Sequence, residues 1–157
     1  PVNMYGPHDN FNPEYSHVIP ALILKYKKAI KLGLDTVEIW GSGNASREFL
    51  YVDDCAEAIA KSIDNNTGPD PINVGTGSEI SIRDLSLLIA KQCGYDGDVV
   101  FNLNFPDGQP RRCLDTTKAA RLLGFEADTD LVCGLKKTID WYNENEEKFY
   151  GYFDHIQ

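Results

Sequence analysis

Two kinds of residue in this sequence stand where they could do chemistry. His17 closes a polar loop and directly precedes the apolar run Val18-Ile19-Pro20-Ala21-Leu22. An imidazole is the side chain whose ordinary pKa lets it gain and lose a proton near neutral pH, so the position suits proton transfer. Taken alone, a structural histidine at a helix start is the better reading. Arg47, Arg111 and Arg112 lie beside Gly/Pro-rich turns. Guanidinium groups placed there can grip an anionic ligand through paired N–H bonds. The net charge of −9 means that these cations do not belong to a broad basic face, which argues against nucleic acid as a partner.

The elements that must position them alternate between strand and helix. Val2 to Met4 ends a strand at Tyr5-Gly6-Pro7, and Pro13 keeps the loop from His8 to Ser16 out of a helix. Val18, Leu22, Lys25, Tyr26 and Ala29 recur at helical spacing from His17 to about Leu32, with Pro20 tolerated in the first turn. Val37 to Trp40 reads as a strand, Gly41-Ser42-Gly43-Asn44 as a turn, and Glu48 to Val52 as a second strand. Asp53 and Asp54 open a helix with Cys55, Ala58, Ile59, Ser62 and Ile63 on its inner face. Asn65 to Pro71 reads as a loop, and Ile72-Asn73-Val74 as a buried strand. Ser81 caps a helix carrying Ile82, Leu85, Leu88, Ile89 and Cys93 inward, with Gly94 as its stop. Val99 to Phe101 is the last strand expected, and Asn102 to Asp115 is read as irregular. A short helix capped by Asp115 or Thr116 ends at Gly124. A final helix covers about Leu131 to Phe149, with Glu144, Glu146 and Glu147 as a solvated end.

This alternation predicts an α/β chain with parallel pairing. Its 157 residues suffice for one domain or for part of a larger one, and a start at Pro1 within a strand suggests a fragment. Hydrophobic content of 42% and charged content of 25% fit a globular protein, and no apolar run is long enough to span a membrane. No signal peptide is visible. Cys55, Cys93, Cys113 and Cys133 show no metal-ligand spacing, so they are read as structural thiols in a reducing compartment, with no metal site. The Gly-rich turn that would bind a dinucleotide pyrophosphate is missing. Gly75-Thr76-Gly77 lacks both a third glycine and an immediate helix, and reads as a plain turn.

Three stretches together carry a resemblance. Pro1-Val2-Asn3-Met4-Tyr5-Gly6-Pro7 and Arg47-Glu48-Phe49-Leu50-Tyr51-Val52-Asp53-Asp54 are of a kind found in many nucleotide-sugar epimerases and dehydratases. Asn10-Phe11 with Ser16-His17-Val18-Ile19-Pro20-Ala21-Leu22 is more specific, and Pro106-Asp107-Gly108-Gln109-Pro110-Arg111-Arg112 agrees with it. With these motifs the chain resembles the C-terminal part of the GDP-L-fucose synthase family of extended short-chain dehydrogenase/reductases. The resemblance implies a piece of a Rossmann domain (1–12 and 47–77), a smaller substrate-binding domain (13–46 and 78–150) and a tail (151–157).

The resemblance also implies the site. Pro1, Val2, Asn3, Met4 and His17 would meet the nicotinamide end of NADP(H), with His17 as the epimerisation acid. Lys25, Trp40, Arg47 and Asp107 would contact the GDP-sugar, with Arg112 where relatives often carry lysine. Lys25 replaces an arginine of many relatives, so a two-pronged phosphate contact becomes a single ammonium contact. The family's cysteine base and Tyr-x-x-x-Lys motif would lie upstream of Pro1, and the latter does not occur in this sequence. The resemblance further implies a cytoplasmic homodimer that binds neither nucleic acid nor membrane. Two alternatives stay open: another NDP-sugar epimerase or dehydratase, and a non-catalytic nucleotide-sugar-binding module.

Overall fold

A computed structural model describes residues 1–65 and 68–155. Positions 66 and 67 of the expected 65–71 loop, and 156 and 157 of the expected tail, lie outside the described residues. In chain order the elements are β1 (Asn3–Tyr5), α1 (Val18–Leu32), β2 (Thr36–Trp40), β3 (Ser46–Tyr51), α2 (Val52–Asp64), β4 (Glu79–Ser81), α3 (Ile82–Cys93), β5 (Asp98–Asn102), β6 (Arg111–Arg112), α4 (Thr117–Leu123) and α5 (Leu131–Glu144), then a 3₁₀ segment over Glu146–His155.

The expected α/β class with parallel pairing is present. β1 runs parallel to β3, with Asn3 opposite Phe49 and Tyr5 opposite Tyr51. β2 runs parallel to β5, with Thr36 opposite Asp98 and Trp40 opposite Asn102. β3 is the element on which the site is built. Its second half pairs with β1, while Ser46–Glu48 pair antiparallel with β4 and Ser46–Arg47 parallel with β6.

Helix limits follow local chemistry. Ser81 Oγ accepts the Asp84 N–H at 3.0 Å at the start of α3, and Asp130 Oδ1 accepts the Cys133 N–H at 2.8 Å at the start of α5. At α4 it is Asp115, not Thr116, whose side chain caps, taking the Thr117 N–H at 2.9 Å. Gly33, Gly94 and Gly124 end their helices in the left-handed conformation, as expected of C-terminal glycines.

Four expectations fail for tertiary reasons. Ile72–Val74 forms no regular strand; a single bond from the Val2 N–H to the Val74 carbonyl holds it beside β1. Ile59 and Ile63 point outward, 58% and 80% exposed, because α2 packs through Asp54, Cys55 and Ala58 instead. The stretch 102–115 is not wholly irregular, since Asn102 completes β5 and Arg111–Arg112 form β6. The last helix stops at Glu144, and the chain tightens into 3₁₀ geometry that seats Phe149 in the core. There Glu146 is half-buried and accepts the Tyr150 hydroxyl at 2.5 Å, so that end is only partly solvated.

The larger core gathers α1, α3, α5 and the inner faces of β2 and β3, with Ile23, Leu24, Tyr26, Leu85, Ile89 and Leu135 fully enclosed. Each such aliphatic side chain contributes about 1.5–3 kcal/mol by leaving water. Phe11, 1% exposed, pins the loop before His17 into this core against Tyr142 at 5.2 Å and Phe149 at 4.9 Å. A second cluster of Val2, Leu50, Cys55, Ala58, Ala119, Leu123 and Phe125 lies under α2 and α4.

Candidate functional site

His17 is the N-cap of α1, with extended backbone (φ −75°, ψ 172°) and no side-chain capping bond. Its carbonyl accepts the Ala21 N–H at 3.0 Å, so the backbone is fixed, while the imidazole makes no capping bond and has the Asp9 carboxylate as an electrostatic neighbour. The ring faces a cavity of about 290 Å³ that Asn3 and Met4 of β1, Arg47 and Phe49 of β3 and Ile82 of α3 also line. Five of these residues come from two strands and a helix far apart in sequence, brought together by the pairing of β3 with β1 and with β4, which leads into α3.

Of the residues assigned to the nicotinamide end, Asn3, Met4 and His17 line the cavity. Met4 is 43% exposed, and Asn3 turns its Nδ2 onto the Glu48 carbonyl at 3.0 Å. Val2 is buried in the smaller core, and Pro1 is exposed.

Arg47 and Arg112 are cross-strand partners in the β3–β6 register, so their side chains leave the same face of the sheet. Arg47 donates to the Ser46 carbonyl at 2.6 Å, and among the described residues neither guanidinium has a carboxylate partner. Arg111 is turned to the opposite face, where Glu79 binds its Nε at 2.8 and 3.0 Å while also accepting the Ser46 hydroxyl at 2.6 Å. The structure thus separates a paired arginine from two unpaired ones.

Lys25 and Trp40 form a second group. Lys25 Nζ donates to the Glu38 carbonyl at 2.7 Å and lies 5.9 Å from the Trp40 ring. Burial pulls its pKa below the ordinary lysine value. Trp40, 55% exposed, stacks on Phe105 with centroids 4.5 Å apart and planes 10° from parallel. Asp107 is on the same 105–110 loop. Its carboxylate is tied to Ser42, which depresses its pKa below the usual aspartate value through the side-chain and backbone bonds.

As the motif partner of Arg47, Glu48 would be expected to fix the direction of that guanidinium, but its carboxylate is engaged elsewhere and Arg47 donates to the Ser46 carbonyl instead. Glu48 is fully buried, yet it accepts the backbone N–H groups of Thr76 (2.6 Å), Gly77 (2.7 Å) and Leu114 (2.6 Å). The Gly75-Thr76-Gly77 turn does bind an anion through its amides, but the anion is the protein's own carboxylate. A glutamate in the strand-like run Arg47–Val52, followed by a Gly-x-Gly turn, was the available signal. Its meaning depended on the pairing of β3.

The cysteines take no part in the cavity. Cys55 and Cys93 are buried and unpaired, and burial pushes the Cys93 thiol up to about 12. Burial, with the Glu48 and Glu79 carboxylates nearby, also raises the Cys113 thiol, which makes it a poor base. Among the described residues no group of histidine, cysteine and carboxylate side chains could hold a metal, and no helix is long and apolar enough to cross a membrane.

Residues 1–75 match the NAD dependent epimerase/dehydratase family. The GDP-L-fucose synthase of Escherichia coli is 45% identical to 96% of this chain, and GDP-L-fucose synthase 1 of Arabidopsis thaliana is 42% identical to 92% of it. Over most of its length the chain is homologous to the GDP-L-fucose synthases. The match covers 50% and 45% of those two proteins, so the chain spans about half the length of the curated relatives it matches. A crystal structure of a GDP-L-fucose synthetase from Naegleria fowleri bound to NADP superposes with a TM-score of 0.86 at 34% identity, covering 92% of this chain and 46% of that one.

Proposed function

We propose that this chain is the C-terminal, GDP-sugar-facing part of a GDP-L-fucose synthase. The complete enzyme converts GDP-4-keto-6-deoxy-D-mannose to GDP-L-fucose by epimerisation at C3 and C5 and NADPH-dependent reduction at C4. The observation that carries this reading is the convergence of His17, Asn3, Met4 and Arg47 on one cavity, in a chain with such relatives. A ketone at C4 acidifies the protons at C3 and C5, and inversion needs an acid to return a proton from the opposite face. His17 is that acid. Its exposed ring has no capping duty, and its backbone is anchored from both sides.

Arg47 and Arg112 take the GDP diphosphate. Two guanidiniums on one sheet face, without carboxylate partners among the described residues, match two adjacent phosphates in an otherwise acidic chain. Lys25 adds a single ammonium contact to the phosphates, and Trp40 and Asp107 contact the rest of the GDP-sugar. The open side of the cavity, at Asn3, Met4 and His17, fits the nicotinamide end of NADP(H), with Pro1 and Val2 extending the strand behind it. When bound, that cofactor supplies hydride to C4. The base, the reductase tyrosine and the pyrophosphate loop come from residues outside this sequence, so the chain alone turns nothing over. The assembled enzyme is a cytoplasmic homodimer whose partners are the GDP-sugar and cofactor. The two-domain division implied by the resemblance is part of this proposal, with β3 pairing to β1 of its own part and to β4 and β6 of the other.

The test is calorimetric titration of GDP into the 157-residue chain and its Arg47→Ala variant. Losing a charge-assisted, two-pronged contact costs about 1.5–3 kcal/mol, which is a roughly 10- to 150-fold rise in Kd. An undiminished affinity in the variant, or no binding by the parent chain, would defeat the reading.

A further inference from the structure

We infer that Ser42 is a positioning residue of the GDP-sugar site, holding Asp107 and through it the segment that delivers Arg112 to Arg47. Ser42 grips both carboxylate oxygens of Asp107, its backbone N–H donating to Oδ1 and its hydroxyl to Oδ2, each at 2.6 Å. The two turns are pressed together there. Gly41, at φ +82°, leaves the space that Asp107 Oδ1 occupies, and a side chain at 41 would collide with it.

Ser42 is itself held from behind. Arg83, in the first turn of α3, donates to the Ser42 carbonyl at 2.7 Å while its guanidinium lies 3.9 Å from the Phe101 ring. The Arg83 N–H donates to the Gly43 carbonyl at 2.9 Å. The grip therefore runs from a packed helix through Ser42 to an otherwise exposed loop.

From Asp107 the chain has a short way to go. Gly108 lies beside the Arg47 guanidinium, the Pro110 carbonyl accepts the Ser46 N–H at 2.9 Å, and Arg112 then pairs with Arg47. Ser42 fixes the start of this segment, as Ser46 fixes its end. The Asp107 carboxylate has about four lone-pair sites, and the two Ser42 donors with the Gly43 N–H leave one for a ligand hydroxyl without releasing Ser42. This gives Asp107 one orientation before ligand arrives, which reduces the ordering that binding must supply.

The inference rests on the GDP-sugar reading above, and the experiment separates the two. GDP is titrated into the parent chain, Ser42→Ala, Ser42→Thr, Asp107→Ala and the Ser42→Ala/Asp107→Ala double variant. Melting temperatures are recorded for each, and Ser42→Gly is a second hydroxyl deletion should Ser42→Ala not fold. The expected results are a roughly tenfold weaker Kd for Ser42→Ala, parent-like binding for Ser42→Thr, and little further loss when Ser42→Ala is added to Asp107→Ala. If the parent binds GDP and Ser42→Ala binds as tightly, the inference fails and the reading stands. Additive losses in the double variant would also overturn it, by making Ser42 act independently of Asp107. If the parent chain binds no GDP, the reading falls and takes the role of Ser42 with it.

Discussion

Glu48 Oε2 accepts the Leu114 N–H at 2.6 Å across 66 residues of sequence, from a side chain with no exposed surface. Its other oxygen takes the amides of Thr76 and Gly77. One carboxylate thereby fastens β3 to the turn after residue 74 and to the strand that delivers Arg112.

Glu48→Gln should therefore be costly despite near-identical shape. An amide has one acceptor oxygen, and its NH₂ group would face a backbone N–H, leaving a buried donor unsatisfied. The expected loss is about 2–4 kcal/mol, read by urea denaturation, with GDP affinity falling as β6 loosens. A stability within 0.5 kcal/mol of the parent, roughly the scatter of a surface substitution, would contradict this account.

Phe11 links the core to the loop that ends at His17. Truncation to alanine should cost about 3–5 kcal/mol through lost contacts with Trp141, Tyr142 and Phe149. Amide exchange should rise first in residues 8–16, ahead of α1 itself. Uniform loosening of the whole chain would show instead that the loop and core open as one unit.

His17 should behave in the opposite way. His17→Gln touches an exposed ring with no capping bond, so the melting temperature should hold. In a complete enzyme containing this chain, deuterium uptake from solvent at C3 and C5 should fall about 10²–10⁴-fold. A lower melting temperature with unchanged exchange would assign the histidine to structure.

Glu79 provides a pH dependence. Hydrogen bonds from Ser46 and Arg111 hold its carboxyl below the ordinary value of 4.5. A depressed folded-state pKa contributes stability above the unfolded value and loses it as pH falls through the folded one. The β4–β3–β6 junction should thus loosen only in acid below about 4.5, and Glu79→Gln should flatten that limb of the stability curve. A parent-like acid limb in the variant would place the acid sensitivity elsewhere.

Much of this protein could be read from order and spacing alone. The helix of His17 to Leu32, its glycine stop and the Ser81 cap depend on neighbours within four residues, where periodicity and capping chemistry act directly. The α/β class followed from the same local signals, and the motifs around Asn3, His17 and Arg47 named residues that line one cavity. Tertiary structure alone decided which arginine of the Arg111-Arg112 pair faces Arg47, because a two-residue strand has no side until its register with β3 is set. It likewise decided that the Gly75–Gly77 amides hold Glu48, that Ser42 grips Asp107 65 residues away, and that Ile59 and Ile63 face outward. Those outcomes depend on groups distant in sequence meeting in space, and a local pattern contains no information about which partner arrives.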